Sequence, residues 1–154
     1  MHRYEIQLDW KGNRGTGTST YASYGREHEL VAPGRAPILG SADPEFRGNA
    51  DSWNPEQLLV ASLSQCHLLW YLHLAAEAQV AVTGYTDRAI GSLRLNPDGS
   101  GEFTEVLLRP TVTVAAPGMV DTARQLHDRA HEVCFIARSV NFTVRHEPVI
   151  EVGE

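Results

Sequence analysis

The strongest constraint on this chain is a stretch that opens with Asn54-Pro55-Glu56 and carries apolar residues on nearly every side to about Val80. Asparagine caps free backbone amides, proline suits the first helical position, and a carboxylate favours the positive end of the helix dipole. A helix therefore starts there. Leu58, Leu59, Val60, Leu63, Leu68, Leu69, Trp70, Leu72 and Leu74 leave it no continuous polar face, the pattern of a central helix buried on all sides. Ser62, Ser64, Gln65, His67, His73, Glu77 and Gln79 interrupt it too often for a membrane span, so the helix is expected in a protein core.

The flanking segments supply what would cover such a helix. Tyr4, Ile6 and Leu8 alternate with polar residues at the period of a half-buried strand. Thr16 to Ala22 and Glu27 to Val31 read as two more strands of an antiparallel meander. From Ala32 to Trp53 the chain is studded with proline, glycine and asparagine, a connection long enough to mark a candidate functional loop. Tyr85 to Leu95 and Phe103 to Ala115 read as two strands joined through the turn Asn96-Pro97-Asp98-Gly99.

A second helix is expected from Asp121 to Val133, with Val120, Ala123, Leu126, Ala130 and Val133 on its apolar side. Asn141 to Val152 closes as a last strand, placed at a sheet edge by Pro148. The order strands, helix, strands, helix, strand predicts one α+β domain over residues 1–154, both helices packed on antiparallel sheet.

Composition narrows the function. Thirteen basic residues against 19 acidic ones give a net charge of −6, which argues against nucleic acid and anionic membranes as partners. The first residues run directly into an alternating pattern with no basic segment followed by an apolar run, so a cytoplasmic location is expected. A chain of 154 residues buries enough surface to fold without staples, so its two cysteines, Cys66 and Cys134, are free to be packing residues or a working thiol pair.

Their positions differ in kind. Cys66 lies twelve residues past the helix cap, roughly 18 Å along the axis, beyond the influence of the dipole. A reactive Cys66 therefore needs a guanidinium brought from elsewhere. Cys134 follows the second helix, whose carbonyl end raises a thiol pKa, so it suits resolving a sulfenic acid better than attacking a peroxide. By position alone, a small buried hydrophobe remains the commoner role for each.

The run Asn54-Pro55-Glu56-Gln57-Leu58-Leu59-Val60-Ala61-Ser62-Leu63-Ser64-Gln65-Cys66, with Cys134 after Ala130-His131-Glu132-Val133, resembles the OsmC/Ohr family of thiol-dependent hydroperoxide reductases. The order of elements resembles it too, over nearly the whole chain. The resemblance implies an OsmC/Ohr-like fold, an intertwined homodimer, organic hydroperoxides as substrates, and an external dithiol or lipoyl-type reductant with no bound cofactor. It also implies Cys66 as the peroxidatic thiol, Cys134 as the resolving thiol and Glu56 as the carboxylate of an activating pair. The arginine of that pair is Arg47 in Glu45-Phe46-Arg47-Gly48, or in reserve Arg14 in Asn13-Arg14-Gly15. The chain departs from the family in carrying Phe135 where proline commonly follows the second cysteine, and in the loop from Ala32 to Trp53.

Glu56 and Cys66 are ten residues apart on one helix, roughly 15 Å along it and about 80° around it, so they cannot touch within a straight helix. If both serve one site, the site is expected at a subunit interface. Leu63, Leu69 and Trp70, with Phe46 and Trp53 from the loop, are candidates to line an apolar pocket, though such residues are more often core. His127 and His131 have the spacing of two metal ligands, but on a solvated face such a pair is usually surface, and no metal is expected. His67 and His73 fall on different helical faces and form no chelate. Two other readings remain: a non-catalytic OsmC-like dimer that binds a small apolar ligand, and an oxidant sensor that forms the disulfide without turnover.

Overall fold

A computed structural model describes residues 1–154. The chain divides into two compact units, Met1–Leu58 and Leu59–Glu154.

In the first unit, strands β1 (Gln7–Trp10), β2 (His28–Val31) and β3 (Ile38–Gly40) form an antiparallel sheet in chain order. The meander is present, but not with the expected members. Thr16 to Ala22 forms turns instead of a strand. The Asn13 side-chain oxygen accepts from the amides of Gly15 and Gly17, and Ser23 Oγ donates to the carbonyls of Gly17 and Thr20. These short polar side chains compete with ladder hydrogen bonds and win. The segment from Ala32 to Trp53 is also built, since it holds β3 and a short 3-10 helix, Pro44–Phe46. It is closed by the Ser41 amide donating to the Trp53 carbonyl at 2.7 Å.

Helix α1 (Pro55–Glu77) starts where the sequence places it. Asn54 Oδ1 accepts from the Gln57 amide at 2.8 Å, and Gln57 Oε1 accepts from the Asn54 amide at 3.1 Å, a reciprocal capping box. Its end comes three residues before Val80, because Gln79 turns left-handed at φ 59 and the Val80 amide reaches back to the Ala75 carbonyl. Only Leu63, His67, Tyr71 and Ala75, a stripe at four-residue spacing, are buried. The helix is therefore not covered on all sides within one chain, and Leu69 is 66% exposed. By length and composition α1 is apolar enough to cross a membrane, contrary to the expectation from its polar interruptions. Its buried stripe carries a histidine and a tyrosine that both hydrogen-bond within the protein, which fits a packed core helix.

In the second unit two three-stranded sheets share the same three passes of chain. The two segments expected as single strands are each divided, into β4 (Val82–Asp87) with β5 (Ile90–Leu95), and β6 (Gly101–Leu108) with β7 (Pro110–Val114). The last segment divides at Pro148 into β8 (Thr143–His146) and β9 (Val149–Val152). One sheet has the order β4-β7-β9 and the other β5-β6-β8. The bend is held by Asp87, whose Oδ1 accepts the Arg109 amide at 2.7 Å, while Arg109 Nε donates to the Arg88 carbonyl. Ser64 of α1 donates to the other Asp87 oxygen at 2.6 Å, tying the helix to the corner.

The β5–β6 turn falls at Asn96 to Ser100, with Gly99 at φ 89. β8 and β9 lie at sheet edges as expected, but they run parallel to β6 and β7, so the sheets are mixed and not purely antiparallel. Helix α2 (Val120–Val133) follows a 3-10 turn at Pro117–Met119. One core gathers Tyr71 and Ala75 of α1, Val112 and Val114 of β7, and Ala123 and Ala130 of α2, and a second gathers Leu63 with Val106, Leu108 and Val144.

Candidate active site

Burial places one thiol inside and leaves the other within reach. Cys66 lies mid-way along α1 and is partly exposed, whereas Cys134, at the C-terminal cap of α2, is 1% exposed. The two thiols are free and neighbour each other, since Cys66 is among the groups that shift Cys134. Two cysteines far apart in sequence are thus brought together by the packing of α2 against α1.

The Cys134 thiol is pushed up to about 11. Burial is the main cause and the adjacent Cys66 thiol the second, while the amides of Ala137 and Ile136 pull the other way. The Ala137 amide points at Cys134 Sγ from 3.4 Å. The upward direction agrees with the sequence expectation, but its cause is desolvation, not the helix end, because the chain turns after Cys134 and aims amides at the sulfur. Cys134 is therefore a protonated thiol at neutral pH.

Phe135, in the place where the family commonly has proline, is exposed and stands edge-on to Trp70, with ring centroids 5.6 Å apart at 90°. The two rings line an open groove of about 550 Å³ with Arg129, Glu132, Val133 and Arg138. Of the residues expected at an apolar pocket, Trp70 lies in this groove. Leu63 is core, and Leu69, Phe46 and Trp53 are exposed.

The two arginine candidates line one cavity of about 640 Å³ in the first unit, together with Tyr24, Arg26, Glu27 and Gly48. Arg14 donates to Glu27 at 2.7 Å and holds that carboxyl below its usual range. Arg26 donates to the carbonyls of Tyr21 and Tyr24 and stacks on both rings. Arg47 faces Tyr21 at 6.0 Å, pairs with no carboxylate, and adopts a left-handed backbone at φ 64. A non-glycine residue there is strained by about 1 kcal/mol or more, a cost tolerated where side-chain placement matters. Glu56 sits in the first turn of α1, at the positive end of the helix dipole.

The histidines correct the sequence reading. His127 is not on a solvated face. It is 0% exposed, and its Nδ1 shares a 2.9 Å hydrogen bond with Nε2 of the buried His67. Rings of His67, His127 and His146 stack, and His131 adjoins His146, with Tyr71 lying 4.1 Å from His127. No group of three or more histidine, cysteine and carboxylate side chains is arranged to hold a metal ion. The signal was available in spacing: His127 lies four after Ala123 and three before Ala130, on the apolar stripe, and His67 lies four from both Leu63 and Tyr71.

A long helix with two mixed three-stranded sheets and a second helix, the thiol mid-way along the first beside the thiol that ends the second, is the architecture of the OsmC/Ohr fold class. The profile of the OsmC-like protein family matches residues 48–148, and the chain belongs to that family. An OsmC-like protein of unknown function from Vibrio cholerae is 34% identical at a TM-score of 0.86, covering 97% of this chain and 100% of its own. An organic hydroperoxide resistance protein from Legionella pneumophila shares the fold at a TM-score of 0.68 and 20% identity, over 98% of this chain and 99% of its own. One from Elizabethkingia anophelis does so at 0.68 and 18%, over 99% of each. No curated protein matches the sequence.

Proposed function

We propose that the chain is a thiol-dependent peroxidase that reduces organic hydroperoxides to alcohols in the cytoplasm. The observation that carries this reading is the meeting of a partly exposed Cys66 with a buried, protonated Cys134. Cys66 thiolate attacks the distal peroxide oxygen, the O–O bond breaks, and the alkoxide takes a proton and leaves as alcohol. Cys66 is left as a sulfenic acid. The Cys134 thiol then attacks that sulfur, forming the disulfide and releasing water. An external dithiol, free or lipoyl-borne, takes up the disulfide by exchange and returns both thiols.

We assign the activation of Cys66 to Arg47, with Arg14 in reserve because Glu27 already holds it. An arginine stabilises both the thiolate and the developing alkoxide and cannot lose its own proton. Arg47 meets no carboxylate within one chain, so Glu56 is assigned to orient that guanidinium from a second subunit, a reading favoured by the helical separation of Glu56 from Cys66. Apolar side chains left open by one chain support the homodimer: Leu69 on α1, Leu8 on β1 at 59% exposure and Ile90 on β5 at 50%.

The test is to mix reduced protein with cumene hydroperoxide and a dithiol and follow peroxide loss. Turnover supports the peroxidase. Disulfide formation without turnover indicates a sensor, and unchanged thiols indicate a ligand-binding dimer.

A further inference from the structure

The buried histidines lie outside the chemistry assigned to the thiols, yet they sit between the same two helices. Tyr71 Oη of α1 donates to the Ala123 carbonyl of α2 at 2.8 Å. Four residues back along α1 and four forward along α2, His67 meets His127 at 2.9 Å. The same direction of travel leads to Cys66, next to His67, and to Cys134 at the end of α2. The helices are thus tied by two polar contacts, four residues apart on each, that step toward the two thiols.

Buried polar groups are costly unless satisfied, and here the satisfaction is incomplete, because His127 Nε2 is buried without a partner. The arrangement that leaves no buried N–H orphaned on His127 has its Nδ1–H donating to His67 Nε2, so that His127 Nε2 carries a lone pair. Such a bond is directional, where the apolar packing of Ala75, Val112 and Ala130 in the core shared with Tyr71 is not. Neighbouring residues on a helix differ by about 100° around its axis, so fixing His67 fixes the direction in which Cys66 points.

We propose that His67 and His127 are positioning residues for the thiol pair: their mutual hydrogen bond sets the rotation of α1 against α2 and thereby the effective concentration of Cys66 at Cys134. This rests on the reading of the pair as a disulfide-forming couple. The reaction concerned is two protein thiols plus oxidised glutathione giving the protein disulfide plus two reduced glutathiones. Two electrons and two protons pass to glutathione, and no peroxide is involved.

The experiment is equilibration of the full chain in glutathione redox buffers, with the Cys66–Cys134 disulfide quantified by mass. His127→Leu is expected to lower the equilibrium constant for disulfide formation by about tenfold, the scale of one hydrogen bond lost from a packed site. His127→Asn and His67→Gln, which keep a polar atom near the lost nitrogen, are expected to restore most of it. Val112→Ala, in the same core, is the control: it is expected to lower thermal stability without moving the constant. His67→Leu serves in place of His127→Leu should that variant not fold. A constant unchanged in the leucine variant, or moved as far by Val112→Ala, overturns the proposal. A disulfide that never forms in the unaltered chain overturns the couple itself, whereas absence of peroxide turnover with a normal constant overturns only the peroxidase reading.

Discussion

Cys66, in the middle of α1, neighbours Cys134, at the C-terminal cap of α2. The relationship is asymmetric. Cys134 is sealed from solvent and its thiol is held protonated by burial, while Cys66 is partly open. The asymmetry suits a sequence of events in which the accessible sulfur is oxidised first and the buried one completes the disulfide.

Arg47 combines a strained backbone with a guanidinium free of any carboxylate. Arg47→Gly removes the cost of the left-handed conformation, so the thermal midpoint is expected to hold or rise. The rate of peroxide attack is expected to fall by about 100-fold or more, the usual effect of losing one preorganised donor to developing negative charge. A calorimetric scan and single-turnover kinetics on the same variant check the two halves. A normal rate would move the activating role to Arg14.

The reciprocal cap at Asn54 and Gln57 sets the start of α1. Asn54→Ala should cost about 1 kcal/mol of stability, measured by urea titration. Asn54→Asp, which retains the acceptor, should cost much less.

The pH dependence follows from the buried imidazoles. His67 is lowered from 6.5 to about 4 by burial first and then by His146 and His131. His127 is lowered to about 3 by burial, His67 and His146, with Asp128 pulling upward. Between these values and 6.5 the unfolded chain binds more protons than the folded one, so stability rises with pH across that window and is lost as pH falls through it. Urea midpoints should drop between pH 7 and pH 5, with a smaller drop in His127→Asn. Equal drops in both would contradict the buried neutral state of His127.

What the sequence carried was local. The Asn54-Pro55-Glu56 start and the turn at Asn96 to Gly99 depend on residues within one or two turns of each other, and both stand in the structure. Thr16 to Ala22 has strand composition, but Asn13 and Ser23 offered its backbone other partners. The division of each long strand depends on Asp87 meeting Arg109, a distant pairing that no periodicity encodes. His127 is different: its spacing from Ala123 and Ala130 puts it on the apolar stripe, but the partner that satisfies it there, His67, lies 60 residues away. Both thiols were singled out by the sequence, but their meeting, and burial as the reason for the high Cys134 pKa, appeared only in three dimensions.

The most direct test adds one equivalent of cumene hydroperoxide to the reduced protein and maps its peptides by mass. The account predicts a single linkage joining the peptides of Cys66 and Cys134. It further predicts no peroxide consumed by Cys66→Ser, and one sulfenic acid equivalent, at Cys66, in Cys134→Ser. A sulfenic acid at Cys134, or peroxide consumption undiminished in Cys66→Ser, would contradict it.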